Sequence, residues 1–189
     1  MSSISAPYHC DLPPTEWQTG DSFVDSFSDQ LSISDLDENW FKVGELANIF
    51  AQKIQGIYPA SVSLETTASV VINELLENVV KYGLAGTYSN LEFKCFTSYF
   101  ELFLTNTCSH EQAETFQFYL ERLSGNLQAK SLSRLFEEKI TLSSMVSSSK
   151  SELGMLMILK DYGSKLKIDL VPNSDGSTSV ALKLQIKAG

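Results

Sequence analysis

The sequence is short of the residues on which much enzyme chemistry rests. Two histidines in 189 residues leave little material for a histidine-based catalytic triad. Three cysteines, Cys10, Cys95 and Cys108, are odd in number and too widely spaced for a disulfide framework or a metal clip. His9 beside Cys10 is therefore read as part of an exposed tail rather than as a chelate. Lys and Arg number 14 against 23 Asp and Glu, a net charge of −9. Nucleic-acid affinity comes largely from cations that displace counterions, so this deficit argues against a nucleic-acid partner. No apolar run approaches the roughly 18 residues of a membrane span. The start, MSSISAPYHCDLPP, lacks the basic residues and apolar middle of a secretory signal, which leads to the expectation of a cytoplasmic protein. What is present, 43% hydrophobic and 20% charged residues over a length suited to one domain, is the composition of a soluble fold with a real core.

Along the chain, residues 1–36 are expected to form a loosely ordered arm, because Pro13 and Pro14 forbid regular helix and the stretch lacks sustained periodicity. Within it Phe23, Phe27 and Leu31, spaced by four, predict a short helix against the body. From 37 to 57 the stripe Leu36, Trp40, Val43, Ala47, Phe50, Ile54 and Ile57 predicts an amphipathic helix, stopped by Pro59. A second helix is expected from Ser63 to Gly83. LEFKCFTS and FELFLTNT then alternate as a β-hairpin. Ser109 with Gln112 fits a capping box that opens a third helix over about 110–124, ended by Gly125. Leu132, Leu135 and Phe136 predict another turn or two of helix. The serine-rich TLSSMVSSSKS reads as a mobile lid. Glu152 to Tyr162 looks helical, and KLKIDLVP and STSVALKLQIK alternate as two strands around the turn NSDG.

The second helix, ETTASVVINELLENVVKYG, carries unusual polarity. At 100° per residue Ala68, Ile72, Leu75 and Val79 form its buried stripe, flanked by Val71, Leu76 and Tyr82. Glu74, Asn78 and Lys81, spaced i, i+4, i+7, share the other side within about 60°, so one ligand could touch all three. Periodicity alone equally describes a solvated face with a Glu/Lys pairing.

INELLENVVKYG resembles the N box, E-x-x-x-N-x-x-K-[YH], of the GHKL superfamily, which includes histidine-kinase ATP domains, gyrase and the anti-sigma-factor serine kinases. SELGMLMILKDYGSKLKIDL resembles its glycine-rich G2 box, helix and following strand. The resemblance covers roughly residues 37–187 and implies an α+β fold: a two-layer α/β sandwich of the Bergerat type, a mostly antiparallel sheet covered by helices on one face, with 37–189 as an ATP-binding domain. It implies ATP and Mg²⁺ as cofactors. Asn78 would be the magnesium ligand, Glu74 the catalytic base, Lys81 a phosphate contact, and Leu153 and Gly154 part of the nucleotide-binding G2 segment.

The family's G1 box, D-x-G-x-G, is absent. TNTCSHEQ stands there, with Asn106 nearest the place of the adenine-reading aspartate; an amide can still accept a hydrogen bond. Glu152 brings negative charge toward the expected phosphate site. The helical insert and late glycine-leucine helix resemble SiaB-type protein kinases and related anti-sigma regulators. The resemblance thus implies a regulatory serine/threonine protein kinase in partner-switching signal transduction, acting on a STAS-domain or sigma-factor-like partner and able to pair as a homodimer. The alternative is a degenerate, non-catalytic fold that serves as a protein-interaction module. A histidine kinase or gyrase-type ATPase is disfavoured, since the chain has no dimerisation helix pair or transducer domain.

Overall fold

The computed structural model describes residues 6–13, 16–129, 131–143, 150–162 and 164–188, with the side chains of 128, 129, 139–143 and 150–153 outside that description. Six strands form one sheet: β1 (Tyr8–Leu12), β2 (Phe23–Ser32), β3 (Tyr88–Phe96), β4 (Tyr99–Ser109), β5 (Lys165–Pro172) and β6 (Ser177–Lys187). Their spatial order is β1-β5-β6-β4-β3-β2, and every neighbouring pair is antiparallel. The described helices are α1 (Ile33–Glu38), α2 (Phe41–Ile57), α3 (Leu64–Tyr82), α4 (His110–Ala129), α5 (Leu132–Ser143) and α6 (Lys150–Asp161). The fold is α+β, in two layers.

Alternation along the strands separates the two faces of the sheet. Phe93, Phe100, Leu102, Ile168 and Leu184 point to one side and are wholly or almost wholly buried, as are the inner stripes of α2 and α3. Phe50 of α2 joins Phe93 of β3 and Phe27 of β2 in an aromatic cluster, with ring centroids 5.3 and 4.7 Å from Phe93. Each such buried ring contributes on the order of 1.5–3 kcal/mol by leaving water. The opposite face carries Lys94, Glu101, Phe103, Lys183 and Gln185. A segment around Gln18 crosses it: the Gln18 N–H donates to Gln185 Oε1 (2.8 Å) and Gln185 Nε2 donates back to the Gln18 carbonyl (3.0 Å). Lys183 reaches Glu101 at 2.7 Å beneath it.

The largest departure from the sequence expectation lies in residues 1–36. This stretch supplies both edge strands, β1 paired with β5 and β2 paired with β3. Where spacing by four predicts a short helix, the chain runs as β2. The spacing is ambiguous because i, i+4 shares a face in a strand as well as in a helix; cross-strand pairing of Phe27 with Phe93 settles it. The helix expected over 37–57 begins earlier and is broken. Ser32 caps α1 by accepting from the Asp35 N–H (3.3 Å), and Asn39 and Trp40 separate α1 from α2. Trp40, placed by periodicity on the buried stripe, is 50% exposed. The described part of the chain runs close to expectation in α3, the β3–β4 hairpin, α6, β5 and β6. At the turn before β6, Gly176 adopts φ +83°, which glycine tolerates without steric cost.

Gly125 does not end α4, which runs on to Ala129. The bulk of the serine-rich segment read as a lid, 144–149, lies outside the described residues. No described helix is long and apolar enough to cross a membrane.

Candidate functional site

A cavity of about 530 Å³ opens between α3, the β4–β6 part of the sheet, α4 and α6. This is the scale of a small-molecule pocket, roughly 300–1,000 Å³. Its floor is apolar: Leu75 and Val79 come from α3, Leu104 from β4, and Val180 and Leu182 from β6, all buried. Met155 closes it from α6. Tyr82, Phe116 and Tyr119 add aromatic wall.

Two of the predicted residues meet here. Asn78 follows Leu75 by three positions on α3 and therefore lies beside the buried stripe rather than opposite it. Asn106 sits between Leu104 and Cys108 on the helix-facing side of β4, because alternate strand residues share a face. Both line the cavity and both are half-buried. Among the described residues, no hydrogen bond engages either side-chain amide.

The remaining predicted residues are placed elsewhere. Glu74 does not line the cavity. Its carboxylate packs against Gly154 of α6 so closely that a Cβ at 154 would overlap it; the three atoms nearest that hypothetical Cβ all belong to Glu74, the third at 3.8 Å. Burial pushes the Glu74 carboxyl above the ordinary 4.5, and the negative charge of Glu77 adds to the effect. Glu77 is itself held by Asn73, whose Nδ2 donates to Glu77 Oε1 at 2.7 Å. Tyr162, just past α6, feels Glu74 too: its phenol is raised by burial first, then by Asp161 and Glu74. Lys81 is exposed, with its ammonium 5.0 Å from the centroid of the Tyr82 ring. Gly154 is buried, its open side taken by Glu74. The side chains of Glu152 and Leu153 lie outside the described residues.

The fourth wall is α4, and the sequence reading did not assign it to the site. The helix begins at His110, immediately after β4 ends at Ser109, so its first turns must lie beside the strand end that carries Asn106. The capping box forms as the sequence predicts: the Ser109 N–H donates to Gln112 Oε1 (3.0 Å) and the Gln112 N–H donates to Ser109 Oγ (3.2 Å). The consequence for the site is that Glu111, Gln112 and Thr115 border the cavity. The helix itself was legible in TNTCSHEQ, whose capping box starts at the last residue of β4; its place beside Asn106 follows from that adjacency.

Among the described residues, no Lys or Arg lines the cavity, and the one ionisable carboxylate that does is Glu111, which is exposed at the mouth. Cys108 lines the floor; burial raises its thiol to about 11, so it is a poor nucleophile near neutrality. No group of three or more His, Cys, Asp or Glu residues that could hold a metal ion occurs among the described residues. No protein-family model matches the chain, and a search of curated proteins returns no match.

Proposed function

We propose that the chain is a regulatory module of the GHKL type, which acts by binding a small STAS-like or sigma-factor-like protein partner, with the cavity beneath α4 as the site that governs that binding. The observation that carries this reading is the meeting of Asn78 and Asn106 on one cavity. They come from a helix and a strand well separated in sequence, and the resemblance expects the metal-bearing asparagine at the first and places the second nearest the adenine-reading aspartate.

The described residues fit only part of a magnesium nucleotide. An apolar floor with two amides that no described residue engages suits a planar, hydrogen-bonding group. A triphosphate needs cations or exposed backbone N–H groups, and the described walls offer neither a Lys nor an Arg, while Glu74 fills the open side of Gly154. The non-catalytic form of the module is therefore the better supported. A second reading, phosphorylation of a partner serine with Glu74 as base and Asn78 toward Mg²⁺, has one observation in its favour: the raised Glu74 carboxyl is a stronger proton acceptor than an ordinary glutamate.

Titration calorimetry with Mg-ATP, followed by affinity capture with and without ATP, separates these readings. Capture of a STAS-domain or sigma-factor-like protein that ignores ATP supports the module. Magnesium-dependent ATP heat that Asn78→Ala abolishes in a folded sample, with phosphate appearing on a partner serine, supports the kinase. Failure to capture any such partner, together with no ATP heat, sinks the proposal.

A further inference from the structure

The described walls of the cavity offer hydrogen bonds without a balancing positive charge. Its floor of Leu75, Val79, Leu104 and Leu182 favours an apolar body, since apolar area leaving water is stabilising. Each amide of Asn78 and Asn106 presents a donor and an acceptor, and neither is engaged among the described residues. The charge that the described walls contribute is negative, from Glu111 at the mouth. The start of α4, which borders the cavity, spends the Gln112 N–H on Ser109 Oγ. An anion entering this space would lose hydration and meet a carboxylate in exchange.

Resting on the reading of the domain as a ligand-responsive module, we propose that the cavity binds an uncharged, largely apolar organic molecule bearing an amide-like donor and acceptor group, and excludes phosphorylated ligands. The apolar body lies on the sheet and α3, and the polar end meets Asn78 and Asn106. Glu111 acts as the filter against anions. The departures from the family pattern, Asn106 for the aspartate and α4 for the glycine loop, are on this view what converts a nucleotide pocket into one for a neutral effector.

The test uses three probes on the full chain: aminoanthracene, an uncharged fluorophore; anilinonaphthalene sulfonate, an apolar fluorophore of similar size carrying one negative charge; and naphthamide, a neutral aryl amide that competes. Aminoanthracene is expected to bind with one-to-one saturation and at least ten-fold more tightly than the sulfonate. Thr115→Trp, an exposed position at the mouth, abolishes that binding. Glu111→Lys keeps aminoanthracene and admits the sulfonate. Asn106→Leu weakens displacement by naphthamide about five-fold, the value of roughly one hydrogen bond, and weakens aminoanthracene, whose amine offers no carbonyl acceptor, by less. Circular dichroism confirms that each variant is folded.

Equal binding of both fluorophores, no aminoanthracene binding to folded protein, naphthamide displacement that ignores Asn106, or competitive displacement of aminoanthracene by Mg-ATP would each overturn the proposal. The last outcome overturns the ligand class while strengthening the nucleotide reading of the site. Failure to capture a protein partner removes the regulatory reading and leaves the probe results standing.

Discussion

Replacing Gly154 with alanine tests whether Glu74 occupies the space a Cβ would need. In an open helical position this change stabilises by about 0.5–1 kcal/mol, because glycine loses more backbone freedom on folding. Gly125 of α4 is such a position, with nothing within 4 Å of a Cβ built there, and Gly125→Ala serves as the internal reference. At Gly154 the new methyl group meets the Glu74 carboxylate, and overpacking of this kind costs about 1–3 kcal/mol. The terminal carboxylate can swing aside, which places the expected cost toward the lower end, so Gly154→Ala should be neutral to about 2 kcal/mol destabilising. Among described atoms outside its own chain neighbours and helix backbone, none but Glu74 lies closer than 3.8 Å to that Cβ, so removing Glu74 removes the conflict. In a Glu74→Ala background, Gly154→Ala should recover the gain seen at Gly125. Urea unfolding of the two single variants and the double variant gives the coupling directly, expected at about 1–3 kcal/mol where independent sites give less than about 0.5. If Gly154→Ala stabilises the native chain as much as Gly125→Ala does, the close packing of α3 against α6 through Glu74 is wrong.

The raised Glu74 carboxyl makes a pH prediction. Because its folded value lies above 4.5, the folded state holds more protons than the unfolded chain in the interval above that value, and stability falls as pH rises through it. Glu74→Gln should therefore gain in melting temperature relative to the native chain near neutral pH and lose that advantage below about pH 4, the ordinary carboxylate range; a pH-independent difference would refute the assignment. Ser109→Ala breaks the capping box at the base of α4 and should cost about 1 kcal/mol in urea unfolding, with cavity-probe affinity falling alongside. The thiols of Cys95 and Cys108 are buried and raised to about 11, so an aromatic disulfide reagent should label neither at neutral pH until denaturant is added; rapid labelling of the native chain would contradict the packing. Phe27→Ala removes a ring from the Phe27, Phe50, Phe93 cluster and should destabilise by about 2–4 kcal/mol in thermal unfolding, whereas a loose arm would show almost no effect.

Legibility in the sequence tracked how local each decision is. The buried stripe of α3 was readable because residues three and four apart meet on one helix face whatever surrounds them; Ala68, Ile72, Leu75 and Val79 are all buried. The capping box was readable because Ser109 and Gln112 are bonded to each other's backbone within one turn. Edge strand β2 was misread because its apolar spacing suits two periods, and only the partner strand β3 chooses between them. Trp40 was placed inside because the stripe was extended through a point at which Asn39 breaks the helix, its Nδ2 donating to the Asp35 carbonyl (3.1 Å).

The candidate site divides in the same way. That Glu74, Asn78 and Lys81 share one side of α3 is a property of the helix and was fixed by their spacing. Which of them meets a ligand depends on what docks over each, and the spacing carries no information about that. α6 comes down on Glu74, α4 and β4 leave Asn78 at a cavity, and Lys81 remains exposed against Tyr82. A rotation of roughly 40° between positions i and i+4 is enough to send neighbouring polar side chains to different surroundings. The sequence alone determined α3, the β3–β4 hairpin, α6, β5 and β6 and their buried faces, since these follow from backbone periodicity. Only the tertiary structure decided the placement of two edge strands, the seating of Glu74 on Gly154 and the union of Asn78 with Asn106, because each depends on contacts between segments far apart in the chain.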